Sequence, residues 1–382
     1  MKIFKISTVP ASLNILLKGQ LKFLSQFFKI VAVSGNGKYL DELVEREKVD
    51  IFPVEMERKI SLFRDFISLT KLIFLFIREK PQIVHSITPK AGLLSMLAAK
   101  FAGVPIRMHT FTGLIFPTRA GATQKLLIKM DQLLCWAATN IYPEGDGVKN
   151  DLINYKITSK PLKVLANGNV NGIDLDYFNP NQISATQKHQ LRKELKIEDN
   201  HFVFIFVGRL VGDKGINELI QAFSQLEIKN SKLLLIGPLE SELDPLQDET
   251  LKKIQANANI ISVGFQKDVR PYFAISNALV FPSYREGFPN VVMQAGAMEL
   301  PSIVSDINGC NEIIIESENG TIIPVKNSEA IKISMKKMID DKDFYHKLKN
   351  NARPMIESRY EQSIVWEAVL EEYNQLISKL PN

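Results

Sequence analysis

Cysteine is nearly missing from this 382-residue chain: Cys135 and Cys310 lie far apart and form no CxxC pair. That excludes a disulfide framework and a structural zinc site, and it favours a reducing compartment. Long apolar runs are missing as well. No run is longer than Leu72 to Ile77, which is closed off by Lys71 and Arg78 and falls far short of the ~20 residues that span a bilayer. Met1 to Thr8 reads as a short strand with no small-residue cleavage pattern behind it, so no secretory leader is expected and a cytoplasmic location follows. Only five histidines occur, and none has partners at metal-ligand or triad spacing. No GxGxxG follows the first strand, Ser34-Gly-Asn-Gly-Lys38 lacks phosphate-loop spacing, and no GxSxG elbow is present. Neither sign of charge dominates: 47 Lys and Arg face 42 Asp and Glu, a net +5. Such an excess favours anionic partners, phosphate or acidic lipid, but is too diffuse for a nucleic-acid binder.

What is present is a regular alternation of short apolar β-branched runs with amphipathic helical stretches. The first series of strand candidates is Lys2–Ile6, Ile30–Ser34, Val49–Val54, Gln82–Ser86, Arg107–Phe111, Asn140–Tyr142 and Lys163–Leu165. Helical patterns between them include Leu13–Phe28 and Leu69–Lys80. Asn167 to Asp174 is polar and rich in Gly and Asn, and reads as a linker. A second series follows a charged helix, Gln187–Lys196: Phe202–Val207, Leu233–Ile236, Ile260–Val263, Leu279–Phe281, Ser302–Ser305 and Thr321–Val325. Strands apolar on both faces and separated by single helices predict parallel sheets covered on both sides. The pattern predicts an α/β protein of two doubly wound domains, 1–170 and 171–358. Ligand is expected between them, outside the carboxyl ends of the strands.

Two segments of the second series carry chemistry. In Phe206-Val-Gly-Arg-Leu-Val-Gly-Asp-Lys-Gly215 a buried strand runs into Gly208, Arg209 and Lys214, and a helix opens at once. Two cations beside a helix N-terminus suit a diphosphate; the alternative is a solvated loop carrying two charges. In Phe281-Pro-Ser-Tyr-Arg-Glu-Gly-Phe-Pro289 a strand ends before Glu286, and a helix begins near Pro289. Glu286 can accept hydrogen bonds from hydroxyls, or it is simply an acid favoured by the helix dipole. Gln294, on the following helix, reaches the same region or is an ordinary helical polar residue.

Gly208-Arg209-Leu210 with Lys214-Gly215, then Pro282-Ser283, Glu286-Gly-Phe-Pro289, Glu299-Leu-Pro301 and Ser305-Asp306, resembles the family-4 retaining glycosyltransferases, of GT-B fold. The linker Asn171 to Pro180 is similar to theirs, so the resemblance spans nearly the whole chain. It is strongest to bacterial capsule and O-antigen enzymes that use polyprenyl-diphosphate-linked acceptors, supported by Thr8-Val-Pro10 through Lys18-Gly-Gln20 and by His109 to Gly113. The resemblance implies two Rossmann-like domains facing a cleft, with the last helix, within 359–382, crossing back to the first. It implies a UDP-linked hexose or N-acetylhexosamine as donor, with no cofactor and no metal. Arg209 and Lys214 would bind the diphosphate; Glu286 with Gly287, Phe288, Pro289 and Asn290 would hold the sugar. Gln294 would hold the ribose, Val263 and Gly264 the base.

Two positions depart from the family. Its second glutamate is Gln294 here, and its cleft histidine is replaced by Thr112 before Gly113. His109 either takes over that catalytic role or is a core residue. Asp174-Leu-Asp176 fits a metal-holding DxD pattern but lies in the linker. With no nucleophile in evidence, the resemblance implies front-face displacement. Lys18, Thr112 and Arg119 are acceptor-side candidates, the last on a mobile loop, Leu114 to Thr123. The basic-aromatic stretches Lys18–Lys29 and Leu69–Lys80 either lie on an anionic bilayer, making the protein peripheral on the inner membrane face, or are core-facing helices with solvated lysines. The alternatives to a transferase are a nucleotide-sugar 2-epimerase of the same architecture and a non-catalytic partner subunit.

Overall fold

The computed structural model describes residues 1–57, 61–226, 228, 230–240, 242 and 244–380. It divides into two compact units, Met1–Gly172 with the segment from Gln362 onward, and Ile173–Glu361; positions 381 and 382 of the expected closing segment lie outside the described residues.

The first unit is built on six parallel strands: β1 (Lys2–Ile6), β2 (Lys29–Ser34), β3 (Asp50–Pro53), β4 (Ile83–Ser86), β5 (Ile106–Phe111) and β6 (Asn140–Pro143). Their order is β3-β2-β1-β4-β5-β6, with Ile3 in register with both Ile30 and Ile83. β1 and β4 are buried almost throughout because helices cover both faces. One face packs Phe4, Val31 and Val84 against the helices Leu62–Glu79 and Pro89–Phe101. The other packs Ile3, Ile30 and Ile83 against Leu13, Leu21 and the closing helix Gln362–Ile377, through Val369 and Tyr373. That closing helix also meets a buried polar cluster. Lys5, 1 % exposed, lies 3.2 Å from both Tyr373 Oη and His85 Nδ1, and Tyr373 Oη lies 2.7 Å from His85 Nδ1. His85 Nε2 lies 2.8 Å from Thr110 Oγ1. Burial lowers the Lys5 ammonium to about 7 and pushes His85 well below its usual value.

The second unit repeats the plan with β7 (Phe202–Val207), β8 (Ser231–Ile236), β9 (Ile260–Gly264), β10 (Ala278–Phe281), β11 (Ser302–Ser305) and β12 (Gly320–Ile323), ordered β12-β11-β10-β7-β8-β9. The run from β7 to β9 proceeds one way, and β10 then returns to the other side of β7. The loops leaving β7 and β10 therefore stand side by side at the switch point, at the carboxyl ends of their strands.

Three local expectations are corrected. Leu13–Phe28 is not one helix but two, Pro10–Leu16 and Gln20–Leu24, with the chain turning at Gly19. Lys163–Leu165 forms no strand; a single bridge joins Leu162 to Ile141. The helical stretch expected at Leu69–Lys80 begins earlier, at Leu62.

Candidate active site

The switch point of the second sheet carries the polar cluster. Lys214 ends a short turn after β7, and its ammonium pairs with the Glu286 carboxylate on the loop after β10. Ser283 Oγ donates to Glu286 Oε1 at 2.8 Å, so the carboxylate is held from two sides. Tyr284 N donates to Asp213 O at 2.8 Å, and Arg285 pairs with Asp213 at 3.1 Å. Tyr284 Oη donates to Glu218 at 2.7 Å. These links fasten the two loops together where two helices begin, Ile216–Ser224 and Asn290–Ala297. Helix N-termini add partial positive charge and free N–H groups on this side.

Gly215 makes the close approach feasible. It sits at φ +69, and a Cβ there would lie 2.1 Å from Pro282 O. Both the left-handed backbone and the contact require glycine. Behind the pair, Cys310 is fully buried, and burial pushes its thiol well above the usual range, with Glu286 adding to the effect. It is a packing residue.

Arg209 follows Gly208 at the end of β7. It is exposed and pairs with Glu240 at 2.8 Å. A surface pair of this kind is weak, so the guanidinium is open to exchange its partner for an anion. Val263 and Gly264 lie half-buried at the end of β9. Gly287 and Asn290 are half-buried, Pro289 is buried, and Phe288 is buried against Tyr360. Pro289 is the N-cap rather than the first helical residue, and Gln294 is half-buried one turn on. The structure thus brings Lys214 and Glu286 into contact and places Arg209, Gly264 and Gln294 on neighbouring strand ends or the adjoining helix. Sequence reasoning did not foresee the clamp formed by Ser283, Asp213 and Tyr284; the tyrosine and serine flank Glu286, but their partners lie about 70 residues away.

In the first unit, His109 is corrected to a core residue. It is 1 % exposed, packs edge-on against Phe111, and lies 2.8 Å from Ser86 Oγ through Nδ1. A Cβ on Gly92 would meet its ring at 2.4 Å. Burial lowers its pKa to about 3, so it stays neutral. Thr112, past the end of β5, is half-buried and donates to Ile87 O at 3.0 Å. Lys18 is exposed on the turn between the two short helices, and Arg119 is exposed just before the helix Gly121–Ala137. The loop bearing Arg119 is anchored by Phe116, which is buried and packs on Tyr155. Asp174 and Asp176 do not form a ligand set, and no cluster of three metal-ligating side chains occurs among the described residues.

Comparison with known proteins agrees with this architecture. The family described as glycosyl transferases group 1 matches residues 187–355, and the glycosyl transferase 4-like family matches residues 5–144. The capsular polysaccharide biosynthesis glycosyltransferase CapM of Staphylococcus aureus is 34% identical, over 99% of this chain and 98% of its own. The UDP-Gal:alpha-D-GlcNAc-diphosphoundecaprenol alpha-1,3-galactosyltransferase of Escherichia coli is 28% identical over 80% of this chain and 77% of its own. Among solved structures, a glycosyltransferase from Rickettsia africae superposes with a TM-score of 0.82 at 19% identity, covering 99% of both chains. The fold is GT-B, and the chain belongs to the group 1, family-4-like glycosyltransferases.

Proposed function

We propose that this protein is a retaining hexosyltransferase of surface polysaccharide biosynthesis, moving a hexose or N-acetylhexosamine from a UDP-sugar to a polyprenyl-diphosphate-linked saccharide. The observation that carries the donor reading is the Lys214–Glu286 pair, clamped at the switch point between β7 and β10. Lys214 and Arg209 bind the diphosphate and stabilise the leaving UDP, and such preorganised charge is often the largest catalytic term. Because these cations supply that charge, transfer is read as metal-independent. Glu286, with the backbone of Gly287 to Pro289 and with Asn290, holds the sugar hydroxyls. Gln294 holds the ribose diol, and Val263 and Gly264 meet the base. Glu286 is committed to Lys214 and Ser283, which suits a binding role better than a nucleophilic one. Retention then follows by front-face displacement: the acceptor oxygen bonds to the anomeric carbon as the diphosphate leaves and takes the acceptor proton.

The acceptor reading draws on two relatives: one is named for capsule synthesis, and the other for a diphosphoundecaprenol substrate. Thr112, Lys18 and Arg119 are the residues assigned to it. An acceptor of that kind keeps its tail in a bilayer, so the protein works at the inner face of the cytoplasmic membrane as a peripheral enzyme. Calorimetric titration with UDP and with GDP tests the donor assignment. UDP binding is expected; binding of neither nucleotide would refute the reading.

A further inference from the structure

The helices Leu62–Glu79, Pro89–Phe101 and Gly121–Ala137 pack side by side on one face of the first sheet. The first of them has two apolar faces. Ser68, Leu72, Leu75 and Phe76 point into the core. Phe63, Phe66, Ile67, Phe74 and Ile77 repeat at helical spacing on the opposite side, where the three phenylalanines are 76%, 64% and 72% exposed. A helix with a solvated outer face has no reason to keep aromatic rings there. Its neighbours extend the same character. Leu126, Leu133 and Trp136 share one exposed face of the third helix, and Phe101 is exposed at the end of the second. Lys100 lies 4.3 Å over the Trp136 ring, joining the two helix ends.

The charges on this layer are of one sign. Every exposed charged residue of the three helices is a cation: Arg64, Lys71, Arg78, Lys125 and Lys129. The acids are withdrawn. Asp65 pairs with Lys90 at 2.6 Å, Glu79 pairs with Lys2 and Arg78, and Asp131 is half-buried. Arg64 is paired with Glu57 and Arg78 with Glu79, surface pairs that yield readily to a lipid phosphate, and Lys71 stands beside the aromatic stripe on the first helix. The stretch Lys18–Lys29, also read from sequence as a candidate, differs: Leu21 and Leu24 are buried and Phe23 packs tilted on Trp366, so its apolar side is mostly occupied.

We infer that this three-helix layer is a membrane-docking face, with Phe63, Phe66 and Phe74 entering the headgroup region of an anionic bilayer and the lysines and arginines contacting lipid phosphates. The occupant follows from complementarity. Rings set among cations, with the acids drawn back, match a negatively charged apolar sheet, whereas a second copy of this chain would oppose like charges. The inference rests on the lipid-linked acceptor proposed above and names the surface that reaches it.

Co-sedimentation of the full-length protein with vesicles tests it. Partition onto phosphatidylcholine vesicles containing about one third phosphatidylglycerol should exceed partition onto pure phosphatidylcholine by about tenfold, and salt should weaken it. The double variant Phe63→Ser/Phe74→Ser should lose about tenfold in partition with an unchanged melting temperature, since both rings are exposed. Lys71→Gln/Arg78→Gln should lose the preference for anionic lipid. Failure of the wild type to partition, or wild-type partition by both variants, would overturn the inference. So would a solution dimer that the phenylalanine variant abolishes. UDP binding reports on the donor site alone, so intact UDP binding without vesicle binding discards this surface and leaves the donor assignment standing.

Discussion

Replacing Gly215 by alanine is the perturbation that best separates a working donor loop from a merely folded one. Two costs can be read from its surroundings. Alanine at φ +69 bears a left-handed penalty of roughly 1–2 kcal/mol. The added Cβ would lie 2.1 Å from Pro282 O, where ordinary contact begins at 3.4 Å, so the loops must part by 3.4 − 2.1 = 1.3 Å. Overpacking of that kind costs roughly 1–3 kcal/mol, for a total near ~3 kcal/mol. In a unit spanning Ile173–Glu361 that corresponds to a melting shift of about 6–12 °C. The functional effect is larger. The separation acts directly between Lys214 and the loop of Glu286, and a displacement of ~1 Å can cost about 100-fold in rate. Gly103→Ala is the control, since it lies at φ +72 with nothing within 4 Å of a built Cβ. It should show the left-handed penalty only and keep full activity. Scanning calorimetry, UDP titration and a transfer assay on both variants decide the matter. A Gly215→Ala protein with wild-type UDP affinity and transfer rate would refute the reasoning, whatever its melting temperature.

Other outcomes follow from the same site and from the first unit. Arg209→Ala should cut transfer by about 100-fold or more with little change in melting temperature, because the side chain is exposed and its pair with Glu240 is a surface one; steady-state kinetics and calorimetry check both. Gln294→Glu should raise UDP affinity by roughly fivefold, as a charged hydrogen bond exceeds a neutral one by about 1 kcal/mol; equal affinities by titration would mean that glutamine is already adapted to its partner. With Lys5 at about 7 in the folded state against an ordinary 10.5, the unfolded chain binds more protons above pH 7. Stability should therefore rise from pH 7 to pH 9, by at most about 1.4 kcal/mol per unit, and Lys5→Met should flatten that slope in denaturant titrations.

Much was legible in local pattern. Twelve of the thirteen strand candidates correspond to strands, because runs buried on both faces must be apolar throughout and helices of matching period must cover them. The miss, Lys163–Leu165, forms no ladder, and the bridge to Ile141 comes from Leu162 just before it, which local β propensity does not reveal. The break at Gly19 was also hidden, because the apolar spacing runs on across the turn.

Local order likewise determined that Arg209, Lys214 and Glu286 stand at the carboxyl ends of strands, since each follows a buried run directly. Which of them touch was settled by topology. Lys214 meets Glu286 across 72 residues only because β10 returns beside β7, and the clamp by Asp213 and Tyr284 depends on the same return. His109 shows the converse: its residue type suited catalysis, but the alternation of β5 turned it toward Gly92 and Ser86, inside the core. For the stretch Leu69–Lys80 the sequence left a bilayer-facing and a core-facing reading open; the packing of neighbouring helices decided which side of the helix from Leu62 is covered and which faces outward. Composition and period act on adjacent residues and are readable in order, whereas partner choice, burial and exposure depend on contacts that only the assembled sheets and helices create.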